Sequence, residues 1–184
     1  NAVWSGKEKT IYLSALRGEW VGFQIVCQNA GAGATVEYKV TPSALKGPGD
    51  AAIPDAAVQL SLLWYQKVER EAKKGAAPDA TALSPRAWYA DPMLPLKPVA
   101  PFKVPNEKNA VPGQANQTVY AEFFVPKDAA PGAYKGKIEV FAGDAPALEL
   151  ALNLEVGAAR IPDQAHFTWS MNAYSSPARG YGAA

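Results

Sequence analysis

Residues 117–140 contain two runs in which apolar and polar side chains alternate, separated by the turn sequence Asp-Ala-Ala-Pro-Gly. The first run places four apolar residues on one face: Val119, Ala121, Phe123 and Val125. In the second run Tyr134, Ile138 and Val140 share a face, and the opposite face carries Lys135, Lys137 and Glu139. A period of two with one apolar and one polar face is typical of an antiparallel sheet that packs on the core with one face and exposes the other to solvent. This segment therefore predicts two strands joined by a turn.

The rest of the chain is divided into similar short segments by sixteen prolines and fifteen glycines. Alternating runs occur at 10–13, 20–29, 36–40, 58–68 and 148–156, and no segment has the pattern of a helix of three turns. Many short strands, each with one solvent-exposed face, predict an all-β fold. The fold they predict is an antiparallel two-sheet β-sandwich of the immunoglobulin or fibronectin kind. Tyr134 follows a Pro-Gly turn at the start of a late strand, as in the tyrosine corner of sandwich folds, where the phenol bonds to the corner backbone. A plain core tyrosine is the compatible alternative.

The domain organisation follows from where the alternation stops. We predict a β-sandwich domain over residues 1–160. Residues 157–162 have the composition of a linker. Residues 161–184 are predicted to contain that linker and then either the start of a following domain or a flexible tail. Residues 70–116 contain eight prolines and little periodicity, which predicts a long, irregular, proline-rich insertion. We interpret it either as a cover over the sheet or as a loop that forms a site or contacts another domain.

Composition limits the possible functions. The net charge is +1 with both signs interspersed, so no basic patch indicates nucleic-acid binding, and no apolar run is long enough to span a membrane. Cys27 is the single cysteine and lies in an alternating strand pattern, which predicts a buried thiol and no internal disulfide. The single histidine, His166, argues against a histidine-based triad or metal site. We predict no metal and no cofactor.

Candidate site residues are few. The carboxylates lie in turns or at outward strand positions, and no spacing singles out the pair that glycoside hydrolysis uses, so no catalytic residue is predicted. Trp88, Tyr89 and Asp91 are candidate ligand-binding residues, because aromatic rings beside a carboxylate suit a sugar's apolar face and its hydroxyls. The alternative is that Trp88 anchors the loop to the sheet, as a large ring often does.

Four segments together resemble a known domain. Residues 16–26, Leu-Arg-Gly-Glu-Trp-Val-Gly-Phe-Gln-Ile-Val, resemble the opening strand of the bacterial β-sandwich that precedes the catalytic barrel in glycoside hydrolase family 123 and in related barrel proteins of unknown function. Residues 88–95 are similar to that domain's Tyr-Pro-Asp-Pro-Leu-Leu-Pro loop, with alanine in place of the first proline. Residues 117–138 resemble its late hairpin, Val-Pro-x-Asp-Ala-x-Pro-Gly-x-Tyr-x-Gly, and 167–174 resemble the strand that opens the barrel.

The resemblance implies a bacterial protein that is secreted, periplasmic or at the cell surface and that processes glycans. Enzymes of the family cleave terminal N-acetylgalactosamine with the substrate's acetamido group as nucleophile, oriented by an adjacent Asp-Glu pair in the barrel. This chain contains no such adjacent pair. The resemblance therefore implies that any glycoside hydrolase activity belongs to a parent protein and that this chain contributes no catalytic residue.

Three functions follow as hypotheses. The first is a non-catalytic accessory sandwich whose partner is a downstream barrel domain or another subunit; it packs on the barrel, and Trp88, Tyr89 and Asp91 line the edge of its cleft. The second is a carbohydrate-binding module, whose partner is a glycan. The third is a structural subunit of an extracellular assembly, with strand addition at an edge strand, Thr10–Leu13, and a small polar tail at 175–184.

Overall fold

Two β-sheets face each other in the computed structural model, which describes residues 3–29, 34–68, 87–98 and 100–164. The large sheet has the spatial order β1 (Trp4–Ser5), β2 (Thr10–Arg17), β12 (Ala145–Arg160), β11 (Gly132–Ala142), β4 (Val36–Pro42) and β9 (Phe102–Val104), and the short strands β5 (Leu45–Lys46) and β6 (Ala52–Ile53) pair beside β11. The small sheet has the order β3 (Trp20–Gln28), β10 (Asn116–Phe124), β7 (Val58–Val68) and β8 (Ala87–Leu96). One 3-10 turn, Asp55–Ala57, precedes β7, and the described residues contain no α-helix. The predicted all-β sandwich is confirmed.

The core lies between the sheets and is filled by the alternating residues that the sequence indicates. Val119, Ala121 and Phe123 of β10 are fully buried, and so are Tyr134 and Ile138 of β11. On the opposite side of β11, Lys137 bridges two carboxylates, with its Nζ 3.0 Å from Glu139 and 2.9 Å from Glu149. The prediction that the strands of 117–140 have one buried face and one solvent-exposed face is therefore confirmed.

One strand pair departs from the antiparallel prediction. β2 and β12 run parallel, with Ile11 opposite Leu152 and Ala15 opposite Val156. The two strands come from opposite ends of the chain, so no hairpin forces them to be antiparallel. The predicted edge strand Thr10–Leu13 is not the edge of the sheet along most of its length, because β1 pairs with Thr10 and Ile11 and the Tyr12 N–H donates to the Val3 carbonyl at 2.8 Å.

The proline-rich segment is less irregular than predicted. Within 70–116, β8 pairs with β7 from Leu60 to Val68, β9 pairs with β4, and β10 begins at Asn116. β8 contains Pro92 and Pro95 and has a partner on one side only; an edge strand tolerates proline because its outer side needs no backbone donor. These prolines hide the strand pattern in the sequence. Residues 69–86 lie outside the described residues.

The connection between β9 and β10 is held by side-chain amides. The ladder between β7 and β10 ends where Leu62 faces Val119. Beyond that point Asn109 takes the place of a neighbouring strand for Tyr65: its Oδ1 accepts from the Tyr65 N–H and its Nδ2 donates to the Tyr65 carbonyl, both at 2.8 Å. This pair fixes the backbone of β7 where β8 is attached.

Two glutamines continue the amide chain inward. Gln117, which is fully buried, donates from Nε2 to the Leu63 carbonyl at 2.6 Å. Its Oε1 accepts from Gln114 at 3.1 Å, and Gln114 Oε1 accepts from the Asn106 N–H at 2.7 Å. Buried polar groups that are paired in this way avoid the cost of desolvation, which explains how polar side chains sit beneath this loop.

The tyrosine corner is present at the start of β11. The Tyr134 hydroxyl donates to the Ala130 carbonyl at 2.9 Å, as predicted. At the end of the chain β12 continues to Arg160, so residues 157–160 belong to the sheet and not to the predicted linker. Residues 165–184, which include His166, segment 167–174 and the tail 175–184, lie outside the described residues.

Candidate functional site

The outer faces of the two sheets differ in charge. The outward residues of the large sheet include seven charged side chains: Glu37, Lys39, Lys135, Lys137, Glu139, Glu149 and Glu155. The four strands of the small sheet contain three charged residues, Glu122, Lys67 and Asp91. The outer face of the small sheet, formed by the outward side chains of β3, β10, β7 and β8, is therefore the less charged surface of the sandwich.

Aromatic rings lie on that face. Trp20 packs against Phe124 with ring centroids 5.1 Å apart and planes inclined by 44°. The Tyr120 ring lies over Gly22, since a Cβ built on Gly22 would be 3.0 Å from the Tyr120 hydroxyl and 2.7 Å from the Ala121 carbonyl. Glycine at position 22 thus provides room for the ring, a role that the local sequence does not reveal.

The predicted ligand residues Trp88 and Tyr89 are placed on β8. Trp88 is opposite Lys67 and Tyr89 is opposite Gln66, and neighbouring residues of a strand point to opposite faces. Both are half-buried. The two rings therefore do not form one stacking platform, and the sugar contacts predicted for them remain predictions.

Asp91 follows two residues after Tyr89 on β8. It is exposed and sits where the register between β7 and β8 shifts, between Leu63 and Tyr65. It lines a shallow depression of about 390 Å³ on the outer face of the small sheet, together with Gln24, Leu63, Met93, Tyr120 and Glu122.

Tyr120 and Glu122 were not identified from the sequence as partners of Asp91. Their outward positions follow from the alternation in 117–125, but their proximity to Asp91 depends on which strands pair. Two carboxylates and a phenol form a set that accepts hydrogen bonds from ligand hydroxyls. Within the described ranges, no group of three His, Cys, Asp or Glu side chains is placed to hold a metal ion.

Cys27 is buried, as predicted. Burial raises the pKa of its thiol to about 11, so the thiol is protonated at neutral pH and lacks the thiolate that nucleophilic chemistry requires. In the part of the chain that the structure describes, no helix has the length and apolar character needed to cross a membrane.

The chain leaves the sandwich beside the Trp20–Phe124 pair. The Ile161 N–H donates to the Arg17 carbonyl at 2.8 Å, and the Gly18 N–H donates to the Val125 carbonyl at the same distance. Lys127 forms an ion pair with Asp163. These contacts join the β2–β3 turn, the end of β10 and the residues after β12 at one end of the sandwich.

Trp88 and Tyr89 lie towards the opposite end. They pair with the last residues of β7, whereas Val58, the first residue of β7, is opposite Phe123 near the chain exit. At about 3.3 Å per residue, the nine steps from Val58 to Lys67 span roughly 30 Å. The predicted ligand residues and the chain exit are therefore far apart along the strands.

The fold is an all-β sandwich of two sheets, and the outer face of the smaller sheet carries little charge. The family model for the glycoside hydrolase 123 N-terminal domain matches residues 2–142. The chain belongs to this family, and the resemblance seen in the sequence is confirmed. No curated protein matches the chain.

One solved structure supports the fold. A family 123 glycoside hydrolase from Clostridium perfringens, described for glycolipid glycan hydrolysis, aligns with 84% of this chain at 17% identity and a TM-score of 0.57. The chain covers 24% of that enzyme, about a quarter of its length. The N-terminal domain of PorA aligns with 80% of the chain at 8% identity and a TM-score of 0.31.

Proposed function

We propose that this chain is the non-catalytic accessory β-sandwich of a secreted or periplasmic bacterial protein that processes glycans. In this role it packs on a catalytic barrel and shapes one edge of the active-site cleft. The observation that carries the proposal is the family match over residues 2–142. The described residues add the scaffold, a sandwich of two sheets with its core between them.

The first test is the intact mass of the polypeptide from its native source. A mass several tens of kilodaltons above the 19.5 kDa of these 184 residues supports the proposal, because the native polypeptide then has enough further sequence for another domain. A mass near 19.5 kDa contradicts it and favours a chain that acts alone.

The second test concerns the cleft. In the parent polypeptide, Trp88→Ala and Asp91→Asn are expected to lower kcat/KM on a glycolipid glycan and to leave hydrolysis of a small aryl N-acetylgalactosaminide unchanged. A large glycan reaches the edge of a cleft and a small glycoside does not. Ser14→Ala, at an exposed position of the large sheet, is the control. Equal rates for all variants on the glycolipid glycan would contradict a role in shaping the cleft.

Carbohydrate binding is the second candidate function. The placement of Asp91, Tyr120 and Glu122 around one depression favours it, since sugars are held by carboxylates beside an aromatic ring. Calorimetric titration of the 184-residue chain with oligosaccharides that end in N-acetylgalactosamine tests it. Binding lost in Asp91→Asn and Glu122→Gln and retained in Glu149→Gln, on the other sheet, supports it; binding that all three variants retain does not.

A further inference from the structure

The outer face of the small sheet has the composition of a contact surface. Charged residues make up 19% of the chain, yet the four strands of the small sheet contain only three of them, Glu122, Lys67 and Asp91. Interface cores are depleted of charge and enriched in aromatic residues and methionine, and a contiguous exposed apolar patch marks a site of interaction.

Side chains on this face are exposed although they are large and apolar. Trp20 is 45% exposed, Val26 58% and Met93 53%. Trp20 and Val26 are outward residues of β3; on β10, Phe124 is opposite Trp20 and Thr118 is opposite Val26. Trp20 and Phe124 therefore form one apolar cluster at the start of β3, and Val26 lies towards the other end of the strand, beyond Gln24.

The path of the chain indicates what covers this surface. Residues 161–163 are fixed beside the β2–β3 turn by the Ile161–Arg17 hydrogen bond and the Lys127–Asp163 ion pair. Trp20 follows that turn directly. Any polypeptide after residue 164 therefore starts at the end of the sandwich where Trp20 lies, and covalent attachment there gives a following domain a high effective concentration near this face.

We propose that the outer face of the small sheet, from Trp20 and Phe124 to Val26, is the surface on which the domain that follows residue 164 in the same polypeptide docks. The inference rests on the proposed function, because it needs that domain to exist. The large sheet, where Lys137 bridges Glu139 and Glu149, faces water in this arrangement.

Hydroxyl-radical footprinting of the intact parent polypeptide tests the proposal. The oxidation rates of Trp20 and Met93 are compared with that of Tyr12, an outward residue of the large sheet that is 41% exposed. Each rate is normalised to the same residue in urea. Oxidation of Trp20 and Met93 several-fold slower than the Tyr12 reference supports docking on this face. Rates equal to that of Tyr12 overturn it.

A charge placed on the face provides a second measurement. Val26→Lys is expected to separate the melting of the parent polypeptide into two calorimetric transitions and to restore rapid oxidation of Trp20. Ser14→Lys, at an exposed position of the large sheet, is the matched control and is expected to do neither. Wild-type behaviour of Val26→Lys would overturn the proposal.

The outcomes distinguish failure of the docking surface from failure of the proposed function. A parent mass near 19.5 kDa removes the following domain and contradicts both. A larger mass with rapid oxidation of Trp20 contradicts the docking surface alone. Protection of Trp20 that disappears on dilution means that a second copy covers the face, and this also overturns the proposal.

Discussion

The Tyr134 hydroxyl donates a hydrogen bond of 2.9 Å to the carbonyl of Ala130, four residues earlier in the chain. The bond closes the turn between β10 and β11 from inside, because the Tyr134 ring is almost fully buried. The turn is consequently fastened to the core by one side chain.

We expect Tyr134→Phe to lower the free energy of unfolding by about 1 kcal/mol, since the Ala130 carbonyl loses its partner while the ring stays packed. Urea denaturation of the 184-residue chain measures the change, and the m-value should stay constant. Tyr12→Phe is the control, because Tyr12 is exposed and its hydroxyl donates to the exposed Glu8 carboxylate. An equal loss in both variants would show that the corner bond adds nothing.

The same ring explains a glycine in the loop between β5 and β6. A Cβ on Gly47 would lie 2.3 Å from Tyr134 Cε1, and the buried ring has no room to move away. We expect Gly47→Ala to cost about 1–3 kcal/mol by overpacking. Gly6→Ala is the matched control, because the nearest side-chain atom is 3.6 Å from its Cβ. Equal stability of the two variants would contradict the close contact.

Asn109 is expected to be the most sensitive residue of the β9–β10 connection. Asn109→Ala leaves the N–H and the carbonyl of Tyr65 without partners, and we expect a loss of about 2 kcal/mol. Asn109→Asp keeps an acceptor for the N–H but offers the carbonyl no donor while it is ionised. In chemical denaturation at pH 7, the free energy of unfolding of Asn109→Asp should therefore lie between those of wild type and Asn109→Ala. An Asn109→Asp variant as stable as wild type would argue that Asn109 does not pair with both backbone groups of Tyr65.

The parts of the fold that could be predicted from the sequence are the strands with a regular alternation of apolar and polar residues. Val119, Phe123 and Tyr134 are buried as expected, because a period of two fixes the face of each side chain once the strand exists. β8 was missed because Pro92 and Pro95 interrupt the alternation, although an edge strand accepts both. The parallel pairing of β2 with β12 joins the two ends of the chain, and no local pattern encodes it.

The candidate site was less predictable for the same reason. Asp91, Tyr120 and Glu122 meet only because β8 and β10 both pair with β7 and because the register shifts between Leu63 and Tyr65. A sequence shows which residues are polar and outward; it does not show which strands become neighbours. The predicted grouping of Trp88 with Tyr89 relied on their being adjacent in sequence, which in a strand places two side chains on opposite faces.

Burial of Cys27 predicts a pH dependence. Its pKa is raised by burial from an ordinary value of 9.0 to about 11. The folded state therefore prefers the protonated thiol: the stabilisation is complete below pH 9 and is lost as the pH rises towards 11. The free energy of unfolding should fall less between pH 8 and pH 11 in Cys27→Ala than in wild type. The tyrosines titrate in both proteins, so equal slopes would show that the thiol is not the cause.

Phe123 and Phe124 are adjacent in β10, and their side chains lie on opposite faces of the strand. Phe123 is fully buried and stacks on Phe23 at 6.1 Å, whereas Phe124 is half-buried beside Trp20. In the 184-residue chain we expect Phe123→Ala to cost about 3–5 kcal/mol by leaving a core cavity. Phe124→Ala should cost a small fraction of that, because water already reaches its face. Urea denaturation of both variants checks the pair, and similar losses would mean that the outer face of the small sheet is packed within the sandwich itself and is not open to a partner.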